Sequence, residues 1–508
     1  MTVPVPPRAS GVLLHPTSLS GPLGAGDFGD AAHRFVDWLA EAGMGLWQVL
    51  PLAPAGEGDS PYMSPSAFAI DPVLIDLAAL RDQRLLAPDA LDRERLPAEF
   101  AQATRRAAFA ANREFRMARL REAAARWSEL REPRGFESFC VAEAHWLDDY
   151  ARFMAISQAW PGRPWQDWPA ELRRREPAAL AKVDAGCEDE IRFWKFCQWM
   201  AWRQWSALRA HANRRGVRVI GDAPIFVAGH SADVWAHREL FKLDADGGCS
   251  CVAGVPPDYF SPVGQRWGNP VYDWKANRAQ GYRWWIERLR RQAALADLVR
   301  LDHFRGFAAG WEIPVDAPDA TSGRWRPGPG AAFFEAVREA LGGLPLIAED
   351  LGTITPDVVA LRERFDLPGM RVLQFAFAEG PDQPYLPHNL TPDAIVYTGT
   401  HDNDTSRGWF AQASPRERRM AQIYFKTDGS EIHWDLIHAA SQSVARYAIW
   451  PLQDVLGAGS DERMNRPGIA TGNWDWRFDF GRIEPWHTRR LREISAVHGR
   501  NGATLPEP

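Results

Sequence analysis

The chain has 508 residues, of which 45% are hydrophobic and 24% are charged, a balance typical of a folded protein with a sizeable core. Its 65 acidic and 59 basic residues give a formal net charge of −6, and no basic stripe runs along the sequence. We therefore expect neither nucleic acid nor an anionic membrane among its partners.

The N-terminus and the cysteine content both argue against secretion. The first residues, MTVPVPPRASG, lack the charged-then-apolar pattern of a signal peptide, and no run of about 18 apolar residues occurs. The chain has 5 cysteines, an odd number that argues against a disulfide framework. Cys249 and Cys251 have no second pair of ligands at zinc spacing, so no metal site is expected. These features predict a cytoplasmic protein with reduced thiols.

Eight short apolar runs recur along the chain, each followed by turn residues and then a helical pattern. This order is typical of βα units around a parallel barrel. The runs lie at residues 11–15, 46–50, 217–222, 298–302, 345–350, 371–377, 394–399 and 447–452. The sequence therefore predicts an α/β fold, a (β/α)₈ TIM barrel that spans residues 1–508 as one catalytic domain and has no C-terminal β-sandwich.

Two long insertions interrupt the predicted barrel. Residues 76–215 contain amphipathic, arginine-rich stretches, which predict a helical insertion subdomain with a solvated charged face. Residues 224–274 are rich in proline, glycine and aromatic residues and are too irregular for a helix. We expect this second insertion to be a loop subdomain over the barrel mouth.

Four carboxylates stand at or just after the ends of predicted strands. Asp222 ends VIGD and Asp302 ends VRLD, while Glu349 lies in LIAE and Asp402 follows VYTGTH. In parallel barrels the catalytic groups lie at the C-terminal ends of the strands. One such carboxylate is as compatible with a loop cap or an ion pair as with catalysis, but four around one rim favour an active site.

The neighbours of two of these carboxylates suggest different roles. Arg300 lies two residues before Asp302, so strand alternation points both side chains toward the barrel interior. A guanidinium there keeps Asp302 ionised, which suits a nucleophile. Glu349 lacks such a cation and is the better candidate for a proton donor with a raised pKa. This pair matches retaining glycoside chemistry, with the carboxyl groups about 5–5.5 Å apart.

Seven motifs occur in a fixed order between about Arg8 and Arg477. They are GDSPYMSPSAFA, GDAPIFVAGHSADVWAH, GVPPDYFSPVGQRWGNPVYDW, VRLDHFRGF, IAEDLG, TGTHDNDT and MNRPG. In these motifs the chain resembles the 4-α-glucanotransferases, or amylomaltases and disproportionating enzymes, of glycoside hydrolase family 77, which are relatives of the α-amylases. The resemblance implies transfer of an α-1,4-glucan segment from a donor maltodextrin to the 4-hydroxyl of glucose or another glucan, with retained configuration.

The resemblance also implies a role for each residue of the predicted catalytic centre. Asp302 in RLDHFRG falls at the nucleophile, Glu349 in AEDLG at the general acid/base, and Asp402 in THDND at the transition-state stabiliser. Arg300 and His401 fall where the family contacts the sugar at the cleavage point.

Four further residues match substrate-binding positions of the family. Asp222 in GDAPIF is expected to contact the same sugar, and Tyr62 in GDSPY to stack on it. Trp267 and Phe375 match positions that pack against neighbouring glucose units, although a role in the core is an alternative for both.

The chain departs from the family pattern at two positions. The loop from Asp258 to Trp267 resembles a flap over the acceptor subsites, and Val263 replaces a residue that is often polar or acidic in relatives. His230 stands where relatives commonly have an acidic residue. A direct hydrogen bond from Val263 to an acceptor sugar is therefore not expected.

Other functions remain compatible with the sequence taken alone. An α-amylase-like hydrolase uses the same carboxylates, and a barrel that binds glucans without turnover needs none of them. A metal-dependent hydrolase lacks a credible ligand cluster among the 13 histidines. We expect no cofactor, a monomer or homodimer, and maltooligosaccharides, glucose and α-1,4-glucans as partners.

Overall fold

The structure, a computed structural model, describes residues 8–129, 135–257 and 261–501. These residues form twelve strands: β1 (Ala9–Leu13), β2 (Leu46–Gln48), β3 (Arg218–Pro224), β4 (Cys251–Val255), β5 (Gln265–Pro270), β6 (Leu298–Asp302), β7 (Ala309–Pro314), β8 (Arg324–Pro327), β9 (Leu346–Ala348), β10 (Gly369–Val372), β11 (Ala394–Tyr397) and β12 (Tyr447–Pro451).

Eight of the strands close into a parallel barrel in the order β1-β12-β11-β10-β9-β6-β3-β2. Strands such as β1 and β12 are buried along their whole length, because one face lines the packed interior and the other lies under helices. All eight predicted apolar runs coincide with barrel strands, so the predicted (β/α)₈ fold is confirmed. In the described residues that follow β12, up to residue 501, no further strand occurs.

Eighteen α-helices surround or extend the barrel in the described part of the chain. They are α1 (Asp30–Glu41), α2 (Leu77–Asp82), α3 (Phe109–Glu129), α4 (Phe136–Ala159), α5 (Ala170–Arg173), α6 (Pro177–Gly186), α7 (Glu188–Arg214), α8 (Ala232–Ala236), α9 (Trp274–Ala279), α10 (Arg283–Leu295), α11 (Arg305–Ala308), α12 (Ala331–Leu341), α13 (Pro356–Arg364), α14 (Ser406–Gln412), α15 (Pro415–Phe425), α16 (Ile432–Gln442), α17 (Leu452–Val455) and α18 (Pro485–Val497). Among these helices, none combines the length and the apolar content that crossing a bilayer requires.

Residues 76–215 hold the six helices α2 to α7. The long helices α4 and α7 pack against each other, and α7 also contacts α1 and β3. The side chains of Trp194, Trp199 and Trp205 in α7 are buried, and the indole N–H of Trp205 donates to the carbonyl of Leu295 at 2.8 Å. The last helix of this region is therefore part of the helical layer around the barrel.

Residues 224–274 contain more regular structure than their composition indicates. They include α8 and the strands β4 and β5, which join β7 and β8 in a four-stranded antiparallel sheet with the order β5-β4-β7-β8. A register shift between Val252 and Gly254 interrupts the β4–β5 pairing, and such bulges hide a strand from period-2 patterns. The start of the predicted flap, at Asp258, lies outside the described residues.

The strand predicted at residues 371–377 ends earlier than expected. β10 stops at Val372, and a 3₁₀ turn covers Leu373–Phe375. Leu373, Ala376 and Phe377 are nevertheless fully buried. The sequence therefore stays apolar beyond the end of the strand because these side chains pack in the core. The turn places Phe375 at the rim of the barrel.

Candidate active site

The predicted carboxylates lie at one rim of the barrel. Asp302 is the last residue of β6, Glu349 directly follows β9, Asp222 lies in β3, and Asp402 follows β11. Because β3, β6, β9 and β11 are parallel members of one closed sheet, their C-terminal ends face the same side of the molecule. The fold thus gathers these groups from distant parts of the chain.

Arg300 joins two of these carboxylates. Its Nη1 donates to both carboxylate oxygens of Asp222, at 2.9 and 2.8 Å, and its Nη2 lies 2.9 Å from Oδ1 of Asp302. The register of β3 against β6 pairs Asp222 with Arg300, which explains why the two side chains meet. Burial disfavours the charged guanidinium, but Asp222 and Asp302 raise the pKa of Arg300 well above its usual value.

Glu349 is buried and held by two backbone groups. The N–H of His303 donates to Oε2 at 2.7 Å, and the N–H of Leu351 donates to Oε1 at 3.0 Å. Burial and the carboxylate of Asp302 raise the pKa of Glu349 to about 8, although Arg300 and the two N–H groups act in the opposite direction. Glu349 therefore carries a proton at neutral pH.

Asp402 is partly exposed and remains ionised. The amide Nδ2 of Asn465 donates to its Oδ1 at 2.6 Å, and Nε2 of His401 lies 3.2 Å from its Oδ2. Burial opposes ionisation, but His401 and the hydrogen bond from Asn465 hold the pKa of Asp402 well below its usual range. The carboxylate can therefore stabilise positive charge or accept hydrogen bonds from hydroxyl groups.

Tyr62 and His401 link Asp222 to Asp402 through their side chains. The Tyr62 hydroxyl donates to Oδ2 of Asp222 at 2.7 Å and lies 2.9 Å from Nε2 of His401. The two rings stack with their centroids 5.3 Å apart, and the Trp474 ring lies 5.5 Å from that of Tyr62. These contacts connect all the predicted polar residues except Glu349 in one hydrogen-bonded chain.

The two predicted aromatic contacts lie beside this centre. The Trp267 ring in β5 packs edge-on against His303 with 4.9 Å between centroids, and the Phe375 ring packs edge-on against Tyr385 at 5.7 Å. Trp267 and Phe375 are both only partly buried, which leaves ring surface open to a ligand.

Sequence reasoning did not single out Asn465, His303, Trp474 or Tyr385. Asn465 lies in the MNRPG motif and His303 in VRLDHFRGF, so the motifs gave a signal for these two. Their contacts, to Asp402 and Glu349, depend on tertiary structure that no local pattern reveals. Across the described ranges, no group of three or more histidine, cysteine or acidic side chains is arranged to hold a metal ion.

Comparison with known proteins identifies the family. A family model described as 4-alpha-glucanotransferase, glycoside hydrolase family 77, matches residues 14–482. The chain is 49% identical over 503 residues to the 4-alpha-glucanotransferase of Thermus thermophilus, covering 96% of this chain and 98% of that protein. It is 44% identical over 508 residues to the chloroplastic/amyloplastic enzyme of Solanum tuberosum, covering 97% and 86%.

A solved structure agrees with this assignment. The amylomaltase from Streptococcus agalactiae in complex with acarbose has a TM-score of 0.93 and 36% sequence identity, with 97% of this chain and 99% of that chain covered. These matches favour transfer over α-amylase-like hydrolysis and over glucan binding without turnover. The chain therefore belongs to the 4-alpha-glucanotransferases of glycoside hydrolase family 77, and it is a transferase of α-1,4-glucan segments.

Proposed function

We propose that Asp302 attacks the anomeric carbon of the donor sugar while Glu349 protonates the departing glycosidic oxygen. The bond to the leaving glucan breaks as the bond to Oδ of Asp302 forms, which gives a covalent glucosyl-enzyme. Glu349, now ionised, then removes the proton from the 4-hydroxyl of an acceptor glucan. That oxygen displaces Asp302, so two inversions restore the α configuration and no cofactor is needed.

The contrast between the surroundings of Asp302 and Glu349 carries this proposal. Asp302 pairs with the guanidinium of Arg300 at 2.9 Å, and its side chain is 26% exposed at the rim. Glu349 is buried, and its pKa is raised to about 8. A carboxylate paired with a guanidinium at the rim suits the nucleophile, whereas a buried carboxyl group with a raised pKa suits the acid.

The remaining polar residues are proposed to bind the sugar that is cleaved. Asp402, ionised beside His401, would stabilise the oxocarbenium-like transition state and hold ring hydroxyls. Tyr62 would present its ring to that sugar, while Asp222 and Arg300 fix the orientation of Tyr62 and Asp302.

We propose that Trp267 and Phe375 bind the neighbouring glucose units and that residues 224–274 cover the site. Transfer requires that a sugar hydroxyl reach the glucosyl-enzyme before water does, which a covered, aromatic acceptor site promotes. The edge-on contact between Trp267 and His303 brings this region next to the backbone that holds Glu349. In this scheme residues 1–508 are one catalytic barrel domain, with residues 76–215 as a helical subdomain.

The proposed partners are maltooligosaccharides and α-1,4-glucans as donors, with these molecules and glucose as acceptors, and with the enzyme acting as a monomer or homodimer. We place it in the cytoplasm, where thiols stay reduced, since its five cysteines are all free. Acarbose, with which the Streptococcus agalactiae amylomaltase forms a complex, is a proposed ligand of the site.

A donor that needs no acid catalyst separates the two carboxyl roles. α-Maltotriosyl fluoride releases fluoride without a proton, whereas maltotriose requires one. Glu349→Gln is therefore expected to lose about 10²–10⁴-fold in rate with maltotriose but much less in the first step with the fluoride. Asp302→Asn is expected to fail with both donors and to give no covalent adduct in a mass spectrum.

Asp184→Asn is the matched control, because it removes a carboxylate that pairs with Arg152 on the helical insertion. This variant should behave like the wild type with both donors. A covalent adduct in Asp302→Asn, or an equal loss on both donors in Glu349→Gln, would contradict the proposed roles.

A further inference from the structure

Two buried histidines behind the catalytic centre each have a ring nitrogen that lacks a partner. His15 lies two residues beyond the end of β1, and His401 lies four residues beyond the end of β11. Their relative exposures are 7% and 4%. Among the described residues nothing forms a hydrogen bond with Nδ1 of either ring. Because buried polar groups are almost always hydrogen-bonded, each of these nitrogens requires an explanation.

The hydrogen bonds on the other side of His401 establish which of its nitrogens carries a proton. Burial raises the pKa of Asp222, but both of its oxygens accept from Arg300, which favours the carboxylate, and a carboxylate takes the single proton of the Tyr62 hydroxyl. The Tyr62 oxygen and Oδ2 of Asp402 then face Nε2 of His401 as acceptors, at 2.9 and 3.2 Å. Nε2 must therefore be the N–H, and in a neutral ring Nδ1 is a lone pair that needs a donor.

A small cavity touches both histidines. The space open to the centre of a water molecule is about 20 Å³, which is enough for at least one ordered water. The side chains of Thr400, Gln453 and Arg463 also line this cavity and add polar groups to its wall. Although much of the remaining wall is apolar, these polar side chains and the two histidines can supply the two to four hydrogen-bond partners that a structural water requires.

We propose that a water molecule in this cavity donates to Nδ1 of His401 and is held in place by His15. His15 is then a positioning residue, which acts on the reacting sugar only through His401. Burial lowers the pKa of His15 to about 3, so His15 is neutral and can bond to a water without adding charge. This inference rests on the role proposed above for His401 at the cleaved sugar.

The water would have a definite effect on the reaction. It stabilises the tautomer of His401 in which Nε2–H points to Asp402 and toward the sugar hydroxyls. Without this water the ring can move its proton to Nδ1, and Nε2 would then present a lone pair to the Asp402 carboxylate. Such an arrangement repels Asp402 and removes a donor from the sugar site.

Substitutions of His15 test the proposal by kinetics. His15→Leu removes the polar ring, and kcat for maltotriose disproportionation is expected to fall about 10-fold with little change in KM. His15→Gln keeps an amide that can bond to the water, and most of the wild-type kcat should return. His433→Leu is the matched control, since His433 is also buried with a partnerless Nδ1 among the described residues, yet it lies on α16 and does not line this cavity. Wild-type kcat in His15→Leu, or an equal loss in His15→Leu and His15→Gln, would overturn the proposal.

A spectroscopic measurement reports the tautomer of His401 directly. In wild-type enzyme with ¹⁵N-labelled histidine, the His401 ring should show a protonated Nε2 and an unprotonated Nδ1, with His401→Asn used for assignment. In His15→Leu a mixture of tautomers is expected. A wild-type spectrum with a proton on Nδ1 of His401, either alone or together with a proton on Nε2, would overturn the proposal.

The same variants separate this inference from the proposed function. If His401→Asn keeps wild-type activity, the role of His401 is wrong and this inference falls with it. If His401→Asn is inactive while His15→Leu matches the wild type, the proposed function stands and only the role of His15 is lost.

Discussion

The backbone N–H of His303 donates to Oε2 of Glu349 at 2.7 Å from a residue in the left-handed conformation, with φ at 53°. Residues other than glycine rarely adopt this conformation, which turns the chain sharply just after β6. The turn aims the N–H at a carboxyl group that follows the adjacent strand β9, while Leu351 holds its other oxygen. Two backbone N–H groups thus orient the carboxyl group of Glu349.

The raised pKa of Glu349 predicts the alkaline limit of activity. Because the proton donor must be protonated and its pKa is about 8, kcat/KM for maltotriose should fall as pH rises through about 8. The first step with α-maltotriosyl fluoride should lack this fall, since fluoride leaves without a proton. Initial rates between pH 5 and pH 10 on both donors would measure this, and a fall at the same pH with both would speak against Glu349 as its source.

The same group is predicted to affect stability in a definite direction. The folded-state pKa of about 8 exceeds the usual 4.5, so between these values the native state binds more protons than the unfolded state. Glu349 therefore contributes to the free energy of unfolding at low pH, and this contribution is lost as the pH rises between these two pKa values. Glu349→Gln should unfold at a higher Tm than the wild type at pH 9, by about 2 °C, and the difference should shrink toward pH 5. Calorimetry checks this, and a constant difference across pH would refute it.

Arg300→Lys should inactivate the enzyme although it keeps the positive charge. A lysine ammonium cannot reproduce the fork that bonds Asp222 and Asp302 together, and the site is buried. We expect kcat to fall at least about 100-fold, the range seen when one preorganised electrostatic contact is removed. The test is kcat of purified protein with an unchanged circular dichroism spectrum; Arg326→Lys, on the exposed strand β8, is the control.

Asn465→Ala is predicted to weaken the ionisation of Asp402. The variant removes the donor 2.6 Å from Oδ1, so the pKa of Asp402 should rise toward its usual range. The acidic limb of kcat/KM should then move to higher pH, and kcat should fall about 10-fold. Asn465→Asp, which places a like charge beside Asp402, should shift this limb further. An acidic limb identical to that of the wild type would mean that Asp402 does not control it.

Trp267→Ala distinguishes ligand contact from core packing. If the half-buried ring binds a glucose unit, KM for maltotriose should rise about 10-fold and hydrolysis should increase relative to transfer, while Tm changes little. Trp285→Ala is the comparison, because this ring is fully buried in the core and its loss should lower Tm. A large fall in Tm for Trp267→Ala with unchanged KM would assign Trp267 to the core.

The parts of the fold that follow from short-range physics could be read from the sequence. A barrel strand is buried on both faces, so β9 and β12 show as unbroken apolar runs, and a carboxylate at the end of a largely apolar run stands out. This is how Asp302 and Glu349 could be placed at one rim before any coordinates were known. The roles of Tyr62, Trp267 and Phe375 rested on family motifs, because half-exposed aromatic residues give no such local signal.

Other features could not be predicted because they depend on contacts between distant residues. β4 and β5 are short and irregular, and β4 pairs with β7, about 60 residues further along the chain, so neither alternation nor length marked them as strands. Asn465 lies 63 residues from Asp402, which it contacts, and the MNRPG motif gives no indication of this partner. The apolar residues after β10 predict a longer strand than the structure has, because apolar residues indicate burial and not backbone conformation.

The pairing of Asp222 with Arg300 across β3 and β6 has a consequence for anyone who recombines parts of such enzymes. Side chains alternate along a strand, so a slip of one residue would turn Asp222 out of the barrel and deprive Arg300 of one of its two carboxylate partners. Chimeras should therefore exchange β3 and β6 together, whereas the segments that connect them can vary in length. The register of β3 against β6, more than the composition of either strand, preserves the contact between Asp222 and Arg300.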